Sequence, residues 1–402
     1  MTETPVWKEE TMALHAGYRA MAQDQTTTRS LVPPIVQSAI FGLEEVDQFT
    51  RIFRGLEPGF NYGRSTSPTA DALQQRLAAL EGGERGMATA SGMHAVFALT
   101  YHLTRPGDEL VTSHMTYGEA YRLFFQLAPQ RMGITPRLVE NPGDLGDWER
   151  QITDRTRFIW AETPSNPTLF ITDIAGLAEI ARAHGIPLIV DNTLATPYLL
   201  QPLKLGADIV VQSLTKFIAG HGAVLGGAVI GRADLVDDLR KSTLGYIGAT
   251  LSPFDAWLTL LSIETLPIRM DRHSANAERV VAHLASHPKV LGVNYPSLPD
   301  HPQHALAGRQ MPRGYGGLTS FVVEGGQAGA KKVIESFQLI TLVPSFGTTR
   351  TIATHPTTHT HDGMSPQERE TAGIHDGLIR LSVGLEAVED ILADLDQALD
   401  QQ

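Results

Sequence analysis

Between residue 85 and about residue 231 the chain alternates two kinds of segment, and this alternation restricts its fold more than any other feature. Short apolar runs ("MATAS", "DELVTS", "PRLVEN", "RFIWAETP", "IPLIVDNT", "ADIVVQS", "LGGAVIG") are mostly separated by stretches with helical spacing, such as "DIAGLAEIARAHG" with Gly185 as its stop. Runs that are apolar throughout, rather than at alternate positions, suit strands buried on both faces. Interleaved with helices, they predict an α/β fold around a mostly parallel sheet. Ligands in such sheets sit beyond the carboxyl ends of the strands, so residues that carry chemistry are sought there.

The rest of the chain is arranged around this block. Residues 1–60 lack clear periodicity, contain "LVPPIVQS" and "GLEPGFNYG", and read as an extended N-terminal arm. In "SPTADALQQRLAALEGG", Ser67 stands as N-cap and Pro68 in the first turn, and Leu73, Leu77 and Leu80 recur at helical spacing before a Gly-Gly stop. Two helical runs follow the block, "PFDAWLTLLSIETL" and "RMDRHSANAERVVAHLASH". After about residue 290, strands ("GGLTSFVVEG", "LITLVPSFG", "LIRLSVGL") lie between helices, ending in "EAVEDILADLDQAL". The expected division is an arm over 1–60, a large domain over 61–255 and a smaller C-terminal α/β domain over 256–402.

Composition narrows the chemistry. The 402 residues include no cysteine, which excludes disulfides, thiolate metal sites and a cysteine nucleophile, and no metal site is expected. The formal net charge is −12 without a basic block, which argues against nucleic acid or an anionic membrane as partner. No apolar run reaches the roughly 18 residues of a membrane span. The N-terminal "MTETPVWKEETMALHAGY" has no apolar core of signal-peptide length, so a soluble cytoplasmic protein is expected.

Three strand ends then converge. "PLIVDNT" places Asp191 after four apolar residues, "VVQSLTK" places Lys216 after another buried strand, and "ATASGMHAV" runs from a strand through Ser91-Gly92 into a helix. Taken singly, each has a plain structural explanation: Asp191 as a turn residue, Lys216 as a lysine at a solvent edge, "ASGM" as an ordinary helix start. Together at one rim they suit pyridoxal 5'-phosphate. Its aldehyde needs an amine, which Lys216 supplies. Its ring nitrogen needs an anion, Asp191. Its phosphate needs amide donors at a helix N-terminus, available from Gly92 and Met93 beside the hydroxyls of Ser213 and Thr215.

From about residue 10 to the C-terminus the chain resembles the Cys/Met-metabolism family of pyridoxal-phosphate enzymes, which includes cystathionine γ-synthase, cystathionine and methionine γ-lyases, and acylhomoserine sulfhydrylases. The resemblance rests on "YGRSTSPT" (62–69), "ASGM" (90–93), "TYGEAYRL" (116–123), "ETPSNPT" (162–168), "VDNTLATPY" (190–198), "SLTKFIAGH" (213–221), "HPTTHTH" (355–361) and "LIRLSVGLE" (378–386). It implies the type I fold of pyridoxal-phosphate transferases, a homotetramer built as a dimer of dimers, and sites shared between subunits. Tyr62 and Arg64 match a pair that reaches a neighbouring subunit's cofactor phosphate. Tyr117 matches the ring that stacks on the cofactor, and Asn166 an amide near its ring oxygen. Arg380 and Ser345 match the groups that hold the substrate's α-carboxylate. Catalysis is implied for Lys216 as proton carrier, with Tyr117 or Tyr62 protonating the leaving group.

The sequence departs from that family at three positions: Gln212 where His is usual, Glu119 where Gly or Cys is found, and Arg350 where several members carry Glu. Glu119 and Arg350 either pair with each other or face the substrate. If they face it, Glu119 suits a cationic or N–H-rich γ-substituent such as the guanidinooxy group of canavanine, and Arg350 suits an anionic acyl group. The expected activity is γ-elimination on a homoserine-type L-amino acid. The alternative is γ-replacement, by an O-succinyl- or O-acetylhomoserine sulfhydrylase or a cystathionine γ-synthase, in the transsulfuration branch of amino-acid metabolism. A non-catalytic binding protein on this fold is disfavoured because Lys216, Asp191 and Arg380 are all present.

Overall fold

A computed structural model describes residues 7–17, 31–362 and 364–402. The apolar runs form a seven-stranded sheet: β1 (Arg85–Thr89), β2 (Glu109–Ser113), β3 (Thr135–Val139), β4 (Thr156–Glu162), β5 (Leu188–Asp191), β6 (Ile209–Gln212) and β7 (Gly227–Gly231). Their order is β1-β7-β6-β5-β4-β2-β3, and β7 runs antiparallel to both its neighbours while β2 to β6 are mutually parallel. β2, β5, β6 and β7 are buried along their whole length, as strands covered on both faces must be.

A second sheet follows, formed by β8 (Val290–Asn294), β9 (Leu318–Val323), β10 (Thr341–Leu342), β11 (Ile352–Thr354) and β12 (Leu378–Ser382), in the order β10-β11-β12-β9-β8. It is antiparallel except for the β10–β11 pair. β12 is its central strand and is buried throughout. One hydrophobic cluster runs from Val111, Ile159 and Val190 on the first sheet to Phe321, Ile379 and Leu381 on the second, so the two sheets share a core.

Local signals explain the helix limits. Ser67 accepts from the Ala70 amide at 3.2 Å, and the helix Pro68–Glu81 stops at Gly82, whose φ of 76° needs a residue free of Cβ. The 1–60 segment is less extended than its composition suggests. Glu9–His15 and Val46–Phe53 are helical, and the first docks through its Leu14 and Ala16 carbonyls onto the buried Arg76. Residues 1–6 and 18–30 of that segment lie outside the described residues. The expected boundary at 255/256 falls inside the helix Pro253–Ile263, whose Ala256, Leu260 and Ile263 pack with Leu73 and Leu77. No helix among the described residues is long and apolar enough to cross a membrane.

Candidate active site

β5 and β6 end side by side, with Asp191 in register with Val211, and both face one hollow at the carboxyl rim of the sheet. The turn after β6 carries Ser213, Thr215 and Lys216 into the same hollow. Lys216 is half-buried. Its Nζ donates to Ser345 Oγ at 2.8 Å and lies 4.7 Å from the centre of the Phe346 ring. Burial, helped by the Arg380 charge, lowers its pKa to about 8, so an appreciable fraction is an unprotonated amine near neutrality.

Asp191 Oδ1 accepts from the Thr193 amide at 3.0 Å, and burial pushes its carboxyl upward. Close by, at the end of β4, Glu162 accepts from the Tyr117 amide at 2.6 Å and the Asn166 amide at 3.0 Å. Burial first, and then the Asp191 charge, push Glu162 well above the carboxylate range. Glu162 was not foreseen from sequence, although it ends an apolar strand just as Asp191 does; the same rim rule points to it.

Arg380 enters from the second sheet. It is 2 % exposed and has no ion-pair partner among the described residues. It donates to Asn166 Oδ1 at 3.0 Å and to the Ser345 carbonyl at 2.7 Å, while its Nε is buried without a partner. Burial lowers even this guanidinium to about 10. The Phe346 ring that Lys216 approaches is also 5.5 Å from the Arg380 guanidinium carbon. The Ser345–Gly347 turn is pressed onto the Lys216 backbone: a Cβ at Gly347 would stand 2.6 Å from the Phe217 nitrogen. A buried guanidinium that lacks an anion is a built receptor for a carboxylate.

The opposite wall is the start of the helix Gly92–Leu103. Ser91 is its N-cap, its Oγ accepting from the His94 amide at 3.1 Å, which leaves the first-turn amides of Gly92 and Met93 free at the rim. A Cβ at Gly92 would meet Ser213 Cβ at 2.9 Å, so the helix start and the Ser213 turn approach as closely as backbone allows. Thr215 Oγ1 bonds within its own loop, donating to the Gly226 carbonyl at 3.2 Å. Tyr117 lines the hollow between these walls.

Four expected residues lie elsewhere. Tyr62 and Arg64 are exposed, stacked at 5.2 Å, and line a separate hollow with Lys241 and Tyr246. Glu119 and Arg350 are not paired. Glu119 accepts from Arg122 at 3.0 Å, three residues along the same helical turn, and Arg122 also donates to Asp362 at 2.5 Å. Arg350 is exposed and uses its carbonyl to accept from Thr348. Glu119 borders a second hollow with Tyr117, Pro344 and His359; Tyr117 also lines the main one.

These groups fit pyridoxal phosphate on the chain's own evidence: a desolvated amine, a buried carboxylate without a cation, free helix-start amides, and an orphaned Asn166 Nδ2 all border one hollow. The site thus defines a pyridoxal-phosphate enzyme. The chain belongs to the Cys/Met metabolism PLP-dependent enzyme family, whose pattern matches residues 10–400. It is 43 % identical over 390 residues to L-methionine gamma-lyase of Pseudomonas putida, covering 97 % of this chain and 96 % of that one. It is 44 % identical over 352 residues to O-succinylhomoserine sulfhydrylase of Pseudomonas aeruginosa, covering 86 % and 85 %. A Campylobacter jejuni structure described as an O-acetylhomoserine (thiol)-lyase, with pyridoxyl-lysine phosphate in its chain, superposes with a TM-score of 0.92 at 37 % identity, covering 98 % of this chain and 100 % of that one.

Proposed function

We propose that this protein catalyses pyridoxal-phosphate-dependent γ-elimination on a homoserine-type L-amino acid, with γ-replacement by sulfide or a thiol as the second reading. The two reaction classes are those named for its relatives, methionine gamma-lyases and acylhomoserine sulfhydrylases. One observation carries the reading. Ser345 touches both cations, accepting from Lys216 Nζ through its hydroxyl and from Arg380 through its carbonyl. An α-carboxylate on Arg380 therefore sets the substrate's Cα beside the amine.

When bound, pyridoxal phosphate supplies an electron sink next to Cα. The residues supply the rest. Arg380 binds and orients the carboxylate. Lys216 Nζ, kept partly unprotonated by burial, takes the Cα proton and carries protons to neighbouring positions. Asp191 offers negative charge to the ring nitrogen, and Gly92, Met93 and Ser213 offer donors to the phosphate. Tyr117 stands between the main hollow and the one bordered by Glu119, where it can pass a proton to the departing γ-substituent. Burial keeps its phenol protonated, as a donor requires.

Glu119 favours a γ-substituent rich in N–H groups, of the guanidinooxy type. Tyr62 and Arg64, set apart from their own chain's hollow, are read as completing a neighbour's site in at least a dimer, and a dimer of dimers is the assembly proposed. Ile40, which bridges to Tyr62, is 72 % exposed, and Val46 and Leu56 of the same N-terminal segment are 92 % and 73 % exposed, apolar surface that a neighbouring subunit would cover.

The test is a substrate panel. Purified holoenzyme is offered canavanine, methionine, O-acetylhomoserine and O-succinylhomoserine, each with and without sulfide. Release of 2-oxobutyrate or homoserine without a nucleophile supports elimination. Homocysteine formed only with sulfide sinks it in favour of replacement.

A further inference from the structure

Glu81, the last residue of the helix Pro68–Glu81, is 0 % exposed and has no cation beside it among the described residues. No step above uses it. Its carboxylate accepts from Gln212 Nε2 at 2.6 Å and from Asn192 Nδ2 at 3.1 Å. We propose that Glu81 is a positioning residue for the cofactor site: from behind the sheet it fastens Asn192 and Gln212 together, and so fixes the spacing between Asp191 on one strand end and Ser213, Thr215 and Lys216 on the next.

The geometry follows from strand alternation. Asp191 and Val211 are in register and face the hollow. Their chain neighbours Asn192 and Gln212 therefore face the other side, where the helix Pro68–Glu81 packs with Val210 and Ala228. The Asn192 amide still bonds to the Val211 carbonyl at 3.0 Å, so the two amide side chains leave adjacent points of the β5–β6 pair. One carboxylate receives both. Asn192 Nδ2 also serves the Leu200 carbonyl at 2.9 Å, whereas Asn192 Oδ1 and Gln212 Oε1 are buried without partners. As the two amides are turned, both point an NH₂ at position 81, and a glutamine there would offer them one acceptor in place of two. Burial raises Glu81 to about 7 although both amides pull it down, which is the signature of a carboxyl held by amides alone. Gln212 fits this role because, unlike an imidazole, it donates without titrating.

The experiment measures cofactor binding rather than turnover. Apo-protein is prepared for wild type, Glu81→Gln, Gln212→Glu and the double swap. The Kd for pyridoxal phosphate and the visible circular dichroism of the bound cofactor are then recorded beside Tm. Each single variant is expected to raise Kd roughly tenfold, the worth of one buried hydrogen bond to a charged group, and to change the visible dichroism. The swap re-forms an amide–carboxylate pair with the partners exchanged and is expected to return Kd to within about threefold of wild type. A Glu81→Gln protein with lowered Tm but unchanged Kd and dichroism overturns the proposal, as does a swap no better than either single variant. Should Glu81→Gln fail to fold, Gln212→Met removes only one donor and is expected to raise Kd about threefold; an unchanged Kd there is equally fatal.

Discussion

Asn166 accepts from Arg380 at 3.0 Å through Oδ1, while its Nδ2 lies buried with nothing to bond. A neutral amide thus faces a guanidinium that has no anion among the described residues. Placing a carboxylate at that position should supply the anion internally. Asn166→Asp is expected to raise the thermal stability of the cofactor-free protein and to raise KM for amino-acid substrates at least about tenfold, because substrate must then compete for Arg380. Arg380→Lys, which keeps charge but loses the fork, should raise KM by a similar factor without the gain in stability. Steady-state kinetics and thermal melts decide; an unchanged KM in both variants removes Arg380 from the carboxylate site.

Lys216 makes a stability prediction with a definite sign. Its folded pKa of about 8 lies below its ordinary 10.5. Below about pH 8 the cofactor-free protein must hold a buried ammonium, and stability is lost. Between about 8 and 10.5 the unfolded chain binds the proton and the folded one does not, so stability rises with pH through that window. Lys216→Met should therefore be more stable than wild type below pH 8, by on the order of 3 kcal/mol, and the gap should close as pH approaches 10. The same variant should show neither the cofactor's visible absorption band nor turnover. A constant gap across the range would falsify the assignment of a lowered pKa.

Much of this was legible in the chain. Every apolar run of the 85–231 block became a strand, the inner ones because burial on both faces leaves a signal that needs no tertiary context. Lys216, Asp191 and Gly92 could be placed together because parallel strands deliver their ends to one rim. What escaped depended on long-range contact. β8 at Val290–Asn294 is half-exposed, with Leu291 and Gly292 turned to solvent, so its short run "VLGV" is fixed as a strand by pairing with β9. The helix Glu9–His15 is held by Arg76, some 60 residues distant, and by Arg313, beyond any local pattern. Glu81 looks like one more polar residue at a helix end until β5 and β6 are seen above it. The Glu119 partner was within reach: Arg122 stands three residues on, the spacing at which helical side chains meet.

Glu162 holds two backbone amides, those of Tyr117 and Asn166, on separate loops. Glu162→Gln keeps one acceptor and points an NH₂ at the other amide. The loss of one buried hydrogen bond, with the displacement of either Tyr117 or Asn166, is expected to lower kcat roughly tenfold to a hundredfold. Cofactor absorbance should persist, since Lys216 and the phosphate donors are untouched. A kcat within twofold of wild type would show that neither loop depends on Glu162.

The proposal that Arg64 completes a neighbour's site can be tested without a structure of the assembly. Arg64→Ala and Lys216→Ala proteins should each be nearly inactive, the first for want of a phosphate contact and the second for want of the amine. If Arg64 serves a neighbour, mixed dimers contain one site with both residues intact. Activity after subunit exchange should then recover toward about a quarter of wild type, the expectation for random pairing with one intact site in each mixed dimer. Exchange demonstrated by mass, without recovery of activity, places Arg64 in the service of its own chain.

Under the proposed function, Glu119 is the residue assigned to substrate choice. Its side chain is 48 % exposed and is held by Arg122, which divides itself between Glu119 and Asp362. Two carboxylates and one guanidinium thus meet beside the hollow that adjoins Tyr117. A γ-substituent carrying its own guanidino group can take the place of Arg122 on Glu119 and leave Arg122 with Asp362, with no net loss of ion pairs. A neutral acyl group can do neither. Solvent reduces the worth of such an exposed contact, so the effect is expected to be moderate. Glu119→Gln should lower kcat/KM for canavanine-type substrates by roughly three- to tenfold more than for O-acetylhomoserine or O-succinylhomoserine. Arg122→Met, which frees Glu119, should shift selectivity the opposite way. If both variants change all substrates alike and only lower Tm, the Glu119–Arg122 pair merely ties the Gly118–Arg122 turn to the Asp362 loop, and the γ-substituent is read by other residues.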